Sequence, residues 1–464
     1  MTDGRKPLDI SSALDPKSVA VIGASRDPDK VGSIILQNYV SSGYAGKLYP
    51  INPNADEILG FKAYKSVLEL KGKIDTAVIA IPAEFVPKVM AECGKAGVKS
   101  VVVVSGGFSE VGNTKLQEEL VKVADKYCMP TIGPNCLGVM DPRTRVDTLF
   151  LPTYKISRPE IGGVSFMAQS GAVGSTVLDL ISGEGFGLSK FISYGNAAHV
   201  DETDILEYLI KDRETKVIVM YLEGIKRGKD FFEAAKRASR IKPVVVLKAG
   251  RTSAGIKAAH SHTAALAGDY EVQEAVFRQA GFTIAEDLSD LLYYAKVLES
   301  EKAPKGPRVA IVTDGGGAGV LTADAIASLS DLKMAEFSNT TKAAIKKTMP
   351  PLVNAANPLD LAGDAEETRY SNALSILSND DNVDMLIVIA LFQTPGADSK
   401  LASKLIEYKE KCEKPMIVIS IGAEYTETHK KMMESSGLPV YDSPASASRA
   451  LSALYKYYQF RSSR

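Results

Sequence analysis

Hydrophobic residues recur along the chain in short runs that are apolar on both faces. They include "SVAVIG", "TAVIAIP", "SVVVVSGG", "KVIVMYLEG", "KPVVVLKAG", "RVAIVTDGGG" and "MLIVIALFQTP". A run of this length with no polar face predicts a strand that is covered on both sides. Between the runs lie amphipathic segments such as "VPKVMAECGKAG" and "LQEELVKVADKY", which predict helices. Alternating strands and helices are typical of βαβ units, so we expect an α/β protein built on parallel sheets.

Two irregular segments interrupt this alternation. Residues 141–163 are rich in Pro and Arg, and residues 299–308 are charged and contain two prolines. We therefore predict three domains, at about 1–145, 146–300 and 301–464. The length of 464 residues agrees with the usual size of ~150 residues per domain.

Small and polar residues follow almost every predicted strand. In open α/β sheets, ligands bind beyond the carboxyl ends of the strands, where glycine admits a ligand and the next helix offers N–H groups. One such turn is equally well explained as a tight βα connection, but the set predicts a ligand face on each domain. The turns are Gly23-Ala24-Ser25, Asn52-Pro53, Pro82, Ser105-Gly106-Gly107, Gly133-Pro134-Asn135, Gln169-Ser170-Gly171, Gly195-Asn196, Glu223-Gly224, Lys248-Ala249-Gly250 and Asp314-Gly315-Gly316-Gly317.

The first strand, turn and helix, "VAVIGASRDPDKVG", are similar to the start of a dinucleotide-binding fold without its fingerprint. Ser25 and Pro28 stand where G-x-G-x-x-G needs glycine, and Asn52 ends the next strand in place of an acidic residue. We therefore do not predict a standard NAD site, although a phosphorylated nucleotide bound in another manner fits the turn. A dehydrogenase with an unorthodox Rossmann domain stays open as an alternative. No P-loop sequence G-x-x-x-x-G-K-[ST] occurs.

Charge and composition narrow the class of protein. Lys and Arg total 55 and Asp and Glu 56, a balance that argues against nucleic acid or an anionic membrane as the main partner. No apolar run reaches the ~18 residues that span a bilayer, and the N-terminus has no signal-peptide pattern. The four cysteines are scattered without a CxxC, so neither a zinc site nor a disulfide framework is predicted. We expect a cytoplasmic protein with no metal site of its own.

Residues 258–269, "AAHSHTAALAGD", hold two of the four histidines. They lie in a long connection of small residues between a predicted strand and a predicted helix, and such connections are usually functional or disordered. An imidazole there can accept a phosphoryl group if a carboxylate fixes its tautomer. Glu223, at the end of "VIVMYLEG", is the candidate carboxylate. The competing interpretation is a solvated surface histidine.

Further candidate site residues lie in two glycine-containing turns, at the other two histidines and at one cysteine. The first turn of a helix is predicted at Ser170, Gly171 and Ala172, and a second helix is predicted to start at Gly315 to Gly317. Two such helix N-termini are able to bind one phosphate between them. His199 is either near the same edge or structural. His429 is predicted to be a solvated helix residue, and Cys136 a small buried residue.

A series of motifs carries a family resemblance along nearly the whole chain. The chain resembles the nucleoside-diphosphate-forming acyl-CoA synthetases, the superfamily of succinyl-CoA synthetase, and most of all the alpha subunits of its ADP-forming acetyl-CoA synthetases. The motifs are "AVIGAS…VG", "YPINPN", "GGFSE", "GPNCLG", "QSGAVG", "GNAAHVDETDILEYL", "YLEGIK", "LKAGRT", "SHTAALAGD", "GGGAGVL" and "NPLDLAGDA".

The resemblance implies a three-domain α/β fold. It comprises an N-terminal Rossmann-like CoA-binding domain, a ligase domain with a phosphohistidine loop, and a second ligase-CoA domain, the last two flavodoxin-like. The implied reaction is acyl-CoA + ADP + phosphate ⇌ acid + ATP + CoA. The implied coenzyme A residues are Gly23, Ala24, Ser25, Lys30, Asn52, Pro82, Ser105 and Asn135.

The resemblance also implies the chemistry of the second and third domains. His262 rather than His260 takes the phosphoryl group, and Glu223 orients it. Ala264 stands where the family often has Gly, which slightly stiffens the loop. Phosphate or acyl phosphate is held by Ser170, Gly171, Ala172, Asn196 and, from the third domain, Gly315, Gly316 and Gly317.

The resemblance finally implies a partner. The sequence contains no ATP-grasp region, so a separate beta subunit is expected to bind ADP or ATP with magnesium, in an alpha2beta2 heterotetramer. The other substrates are an acyl-CoA and a small carboxylic acid that the sequence does not identify. An alternative from another class is a non-catalytic, acyl-CoA-binding regulatory protein, which would need neither His262 nor Glu223.

Overall fold

The computed structural model describes residues 5–184, 186–255 and 270–463. The chain divides into two compact units, Met1–Gly183 with Gly187–Ile284, and Glu184–Phe186 with Ala285–Arg464. Large sheets occur twice in the first unit and once in the second.

The first sheet is parallel, with the strand order β2-β1-β5-β6-β7, and a small antiparallel hairpin, β3-β4, lies apart from it. Its central strands consist almost wholly of buried Val, Ile and Ala, as the apolar runs predicted. The strands are β1 (Ser18–Ile22), β2 (Lys47–Ile51), β3 (Glu57–Ile58), β4 (Phe61–Lys62), β5 (Thr76–Ile79), β6 (Ser100–Val103) and β7 (Thr131–Ile132). The helices are α1 (Ser11–Leu14), α2 (Val31–Ser41), α3 (Val86–Ala96) and α4 (Thr114–Lys126).

The second sheet has the order β14-β13-β12-β10-β11-β8-β9, in which only the edge strands β8 and β9 pair in antiparallel fashion. Its strands are β8 (Gly138–Asp141), β9 (Val146–Asp147), β10 (Ile161–Ala168), β11 (Leu188–Ser193), β12 (Val217–Leu222), β13 (Val244–Lys248) and β14 (Thr283–Ile284). Its helices are α5 (Gly171–Glu184), α6 (Glu202–Lys211), α7 (Gly228–Ile241) and α8 (Tyr270–Ala280).

The third sheet is parallel, with the order β16-β15-β18-β19-β20, and β17 pairs with the end of β15. Its strands are β15 (Arg308–Thr313), β16 (Lys333–Met334), β17 (Leu359–Asp360), β18 (Met385–Ile389), β19 (Met416–Ile419) and β20 (Val440–Tyr441). The helices of this unit are α9 (Leu288–Ser300), α10 (Gly316–Ala327), α11 (Asn339–Thr348), α12 (Glu367–Ser378), α13 (Ser399–Lys411), α14 (Glu424–Ser435) and α15 (Pro444–Ser462).

Each sheet reverses its strand order beside its first parallel strand. The reversal lies between β1 and β5, between β10 and β12, and between β15 and β18. At such a point the two flanking helices leave on opposite faces, so a crevice opens at the carboxyl ends of the strands. The predicted α/β class with parallel sheets is confirmed, and the three crevices are candidate ligand sites.

The first two sheets share one hydrophobic core. Val19 and Val21 of β1 belong to the same buried cluster as Met167 of β10 and Ile192 of β11. The predicted boundary after residue 145 falls between β8 and β9, although both strands belong to the second sheet. Because β8 pairs with the edge strand β11, the chain enters the second sheet before residue 145.

The end of the second domain at residue 300 stays a prediction, and helix α9 lies directly before it. Helix α9, placed by the sequence before the boundary at residue 300, lies in the second unit and packs against α15. Its buried face includes Leu291, Val297 and Leu298, and burial of these apolar side chains explains why α9 packs against α15.

Among the described residues, no helix is both long and apolar enough to cross a membrane.

Candidate functional site

A crevice opens where the first sheet reverses its strand order. Gly23 follows β1 at a φ of +96°, and a Cβ there would lie 2.2 Å from the carbonyl oxygen of Ala80. A Cβ on Gly32, in the first turn of α2, would lie 2.3 Å from the carbonyl oxygen of Gly23. The turn, the helix and the end of β5 therefore pack backbone against backbone. In front of them lies a cavity of about 560 Å³ lined by Gly23, Ser25, Lys30, Pro82 and Ser105 among others.

A second cavity of about 300 Å³ borders Gly23 and Pro82 on the side of β2. Asn52 shapes its wall, because its Nδ2 donates to the carbonyl oxygen of Ala24 at 2.7 Å and its Oδ1 accepts the N–H of Asn54 at 2.8 Å. Phe85, which is half exposed, and Lys65 also line this cavity. It thus combines apolar side chains with the ammonium of Lys65, which pairs with Asp56 at 2.9 Å, and with the carboxylate of Glu92.

Glu110 supports the turn that follows β6. Its Oε1 accepts the backbone N–H groups of Gly107 and Phe108, and Gly107 has a φ of +110°. Burial raises the pKa of Glu110, but hydrogen bonds from Asn196 and from the backbone of Gly107 and Phe108 outweigh that effect. The pKa of Glu110 therefore lies below its usual value. This carboxylate stays ionised beside the Ser105 end of the crevice.

Asn196 ties the second sheet to this turn. Its Nδ2 donates to Glu110 Oε2 at 2.6 Å and to Gln117 Oε1 at 3.0 Å, and its Oδ1 accepts from Asn135 Nδ2 at 3.2 Å. The backbone N–H of Asn135 in turn donates to the carbonyl oxygen of Ser105 at 2.9 Å. The two asparagines therefore form a polar connection between the ends of the first and second sheets.

The reversal point of the second sheet brings a helix N-terminus and a carboxylate together. Helix α5 begins at Gly171, directly after Ser170, whose Oγ accepts the N–H of Val173 at 3.3 Å. Glu223 follows the neighbouring strand β12 and is buried. Since β10 and β12 are parallel and paired, with Ala168 opposite Tyr221, both turns lie at the same edge of the sheet.

Two more ionisable side chains lie beside Glu223. Lys248 ends β13 opposite Leu222, is only 3% exposed, and donates its Nζ to the carbonyl oxygen of Ala249. Burial lowers the pKa of Lys248, and the charge of Glu223 opposes this effect. Burial, aided by Glu223, raises the pKa of Tyr221 to about 12. The edge therefore presents a buried carboxylate and a buried ammonium at adjacent strand ends.

The third sheet carries a glycine turn at its own reversal point. Gly315 precedes α10, and Thr313 Oγ1 both donates to its carbonyl oxygen at 2.9 Å and accepts its N–H at 3.0 Å. A Cβ on Gly316 would lie 2.7 Å from a carboxylate oxygen of Asp360. Burial raises the pKa of the adjacent Asp314, whose carboxylate accepts the N–H of Leu391. The turn is thus compact, with two carboxylates near it.

Known families and proteins match all three parts of the chain. Residues 17–142 match a CoA binding domain, residues 161–298 a succinyl-CoA ligase-like flavodoxin domain, and residues 309–463 a ligase-CoA domain. The alpha subunit of ADP-forming acetate–CoA ligase II from Pyrococcus furiosus is 39% identical over 447 residues, which cover 95% of this chain and 96% of that one. The chain belongs to the family of ADP-forming acetate–CoA ligase alpha subunits.

Members of this family also occur as longer chains, and one is known in three dimensions. The ADP-forming acetate–CoA ligase of Methanocaldococcus jannaschii is 41% identical, and the match covers 95% of this chain but only 62% of that protein. The acetyl-CoA synthetase 1 of Ca. Korarchaeum cryptofilum, solved with phosphate and ADP, superposes with a TM-score of 0.92 at 38% identity, and the match covers 98% of each chain.

In the present chain, most of the residues predicted to bind coenzyme A surround the first crevice. Gly23, Ser25, Lys30, Pro82 and Ser105 line the larger cavity, and Asn52 lines the smaller one. Two others are placed differently. Ala24 is fully buried beneath the turn, and the side chain of Asn135 bonds to Asn196. The roles of all eight in binding stay predictions.

The residues predicted to handle phosphate are only partly assembled by the described part of the ligase subunit. Ser170, Gly171 and Ala172 lie at the start of α5, at the same sheet edge as Glu223. Asn196 uses both polar atoms of its side chain in the contacts with Glu110, Gln117 and Asn135. His262, His260 and Ala264 lie outside the described residues. The meeting of the α5 turn with Gly315 to Gly317 also stays a prediction.

The remaining histidines and Cys136 are structural in the ligase fold. The prediction of a solvated His429 is wrong. The residue is 6% exposed, and its ring stacks on that of Phe392 with the ring centroids 4.3 Å apart, because the helix turns it inward despite its polar neighbours in sequence. His199 is buried, accepts the N–H of Thr131 at 3.2 Å, and has its pKa lowered by burial. Cys136 is buried as predicted, and burial raises its pKa to about 12.

Three site residues escaped assignment from the sequence. Gln169 and Lys248 stand in strand-end turns, and Glu110 in the "GGFSE" motif, so a signal existed for each. Each interacts with a residue that is distant in the sequence. Gln169 and Lys248 interact with Glu223, which is 54 and 25 positions away, and Glu110 with Asn196, which is 86 positions away.

Among the described residues, no group of three or more His, Cys, Asp or Glu side chains is arranged to hold a metal ion.

Proposed function

We propose that this chain is the alpha subunit of an ADP-forming acetyl-CoA synthetase and catalyses acyl-CoA + phosphate + ADP ⇌ acid + CoA + ATP. The observation that carries the proposal is the juxtaposition of the α5 start with Glu223 in the same unit as the glycine-walled crevice. The names of the two Pyrococcus furiosus relatives, at 39% and 38% identity, support it.

Coenzyme A fits the first crevice by size and charge. Pockets for small ligands usually measure about 300–1,000 Å³, a range that includes the larger cavity. The described residues that line this cavity include Lys30 and no carboxylate, which suits the diphosphate of the coenzyme. The smaller cavity offers Phe85 to an aromatic base. We assign the thioester end to the Ser105 side, which faces the second sheet through Asn135.

The first chemical step is attack of phosphate on the thioester. A phosphate oxygen bonds to the carbonyl carbon, the C–S bond breaks, and coenzyme A leaves as a thiolate. The product is an acyl phosphate. Backbone N–H groups at the start of α5, near Ser170 to Ala172, offset the charge of the phosphate because they point along the helix dipole.

The second step moves the phosphoryl group to the protein. A ring nitrogen of His262 attacks phosphorus, the P–O bond to the acyl group breaks, and the carboxylic acid leaves. Glu223 accepts a hydrogen bond from the other ring nitrogen and so holds the imidazole in the nucleophilic tautomer. This role for His262 rests on the family resemblance, and that for Glu223 also on its burial at the sheet edge.

The last step requires a nucleotide. An oxygen of ADP takes the phosphoryl group from His262, the P–N bond breaks, and ATP forms. We propose that a beta subunit of the ATP-grasp type holds ADP and magnesium, in an alpha2beta2 assembly. The name "subunit alpha" of the Pyrococcus furiosus relatives supports a partner chain. The cytoplasmic location stays a prediction.

A phosphoryl-adduct experiment tests this function. We expect the full chain, incubated with acetyl-CoA and labelled phosphate, to form an acid-labile adduct, and His262→Ala to abolish it. Glu223→Gln should slow its formation by about a hundredfold or more, because it weakens the hold on the imidazole. His260→Ala is the matched control and should retain the adduct. A chain that binds acetyl-CoA without any adduct would instead be the non-catalytic regulator.

A further inference from the structure

The side chain of Gln169 bonds almost entirely to the turn that carries Glu223. Its Oε1 accepts the backbone N–H of Glu223, through a short hydrogen bond, and that of Gly224 at 2.9 Å. Its Nε2 donates to the carbonyl oxygen of Gly224 at 3.1 Å. A glutamine amide offers two acceptor sites and two donors, so three of the four are spent on two neighbouring residues.

These bonds replace the strand pairing that ends at this position. Strands β10 and β12 are paired up to Ala168 and Tyr221, and the backbone N–H of Gln169 still donates to the carbonyl oxygen of Tyr221. Beyond that point the two chains diverge into different turns. The side chain of Gln169 therefore continues the ladder by two residues and fixes the direction in which the Glu223 turn leaves the sheet.

Gln169 is also joined directly to the helix start. Ser170 is the next residue, and Gly171 begins α5. The backbone of Glu223 is thus anchored to the same segment that presents the N-terminus of α5. Glu223 and Gly224 are both buried, so their N–H groups depend on this partner rather than on water.

We propose that Gln169 is a positioning residue that holds Glu223 in register with the start of α5 during phosphoryl transfer. The inference rests on the proposed function and adds to it a residue that acts through the carboxylate. A displacement of about 1 Å in such a site costs on the order of a hundredfold in rate.

A double-mutant cycle tests this role with the full chain, acetyl-CoA and labelled phosphate. Gln169→Met removes the amide at similar length, and we expect adduct formation to slow by about a hundredfold. In a Glu223→Gln background, the same change should slow it by less than about threefold, because both act on one interaction. The dissociation constant for CoA should stay within about twofold, since the first crevice is untouched.

Controls separate this inference from the proposed function and from loss of folding. Gln169→Glu keeps the acceptor for both N–H groups and is expected to fall between the wild type and Gln169→Met. Gln459→Met, at an exposed glutamine in the last helix, should match the wild type. A wild-type chain without adduct overturns the proposed function. A wild-type adduct with unaffected Gln169→Met, or losses that multiply in the double variant, overturns the positioning role alone.

Discussion

Lys248 carries a positive charge into the interior at the end of β13. Lysine is rarely this deeply buried without a partner, and an ammonium has three donors to satisfy. Within the described part of the chain, its Nζ donates to the carbonyl oxygen of Ala249, and the charge of Glu223 acts on it. It ends its strand opposite Leu222, one residue before Glu223. An ammonium in this place is suited to offset the charge of a phosphoryl group.

Lys248→Met is therefore expected to slow phosphoryl-adduct formation by about a hundredfold, because it removes an electrostatic stabiliser from a water-poor site. The rate of adduct formation and the dissociation constant for CoA are the measurements. Lys190→Met, at a buried lysine of the same sheet that pairs with Asp141 and Asp212, is the control. It should lower stability but leave the rate per folded molecule unchanged. Equal rates for Lys248→Met and wild type would contradict the assignment.

At the scale of elements, the start of α2 is locked against the turn after β1. A Cβ on Gly32 would lie 2.3 Å from the carbonyl oxygen of Gly23 and 2.8 Å from the N of Ala24. These are backbone atoms, which cannot rotate away as a side-chain tip can. The helix can accept a larger residue only by moving away from the sheet, and that movement changes the wall of the crevice.

Gly32→Ala is expected to cost about 1–3 kcal/mol of unfolding free energy through overpacking. We also expect it to weaken CoA binding by about tenfold or more, because each 1.4 kcal/mol lost at the wall is a factor of ten. Gly228→Ala offers a matched control at the start of α7, where a Cβ meets nothing within 4 Å. Calorimetric titration with CoA and thermal unfolding of both variants check the contrast. Similar CoA affinities for the two variants would exclude a role for this packing.

Across the whole molecule, two buried carboxylates of the second unit respond to pH. Burial raises the pKa of Glu301 to about 7, although Lys409 pairs with it and the N–H of Met416 donates to it at 3.0 Å. Burial likewise raises the pKa of Glu434 to about 7, against the effect of its partner Lys296. Each group binds its proton more tightly in the folded state than in the unfolded chain.

The stability of the wild type should therefore fall as the pH rises from about 5 to 8. Between the unfolded and folded pKa values of Glu301, 4.5 and about 7, the folded state holds more protons, so unfolding free energy decreases with pH. This contribution amounts to about 3 kcal/mol. Glu301→Gln should remove it, and urea unfolding at several pH values measures the difference. Glu336→Gln, at an exposed carboxylate, should keep the wild-type slope. A parallel slope in Glu301→Gln would show that this carboxyl is not responsible.

Much of the fold was readable from local patterns. The apolar runs became strands such as β6 and β13, and the two amphipathic segments became α3 and α4, because burial on both faces and a 3.6-residue period are properties of neighbouring residues. Turn residues after the strands marked the ligand edges for the same reason, and Gly23, Lys30 and Ser105 do line a crevice. Their order along the chain was also enough to reveal the family.

Long-range contacts accounted for what local patterns missed. The pairing of β8 with β11 and the packing of α9 on α15 each join segments that are distant in the sequence. The ring of His429 stacks on that of Phe392 in the interior, and Asn196 donates a hydrogen bond to Glu110. The hydrogen bond from the backbone N–H of Glu223 to Gln169 Oε1 joins residues that are 54 positions apart. Periodicity describes which face of an element is apolar, whereas a hydrogen-bond partner depends on which distant segment the folded chain brings within 3 Å.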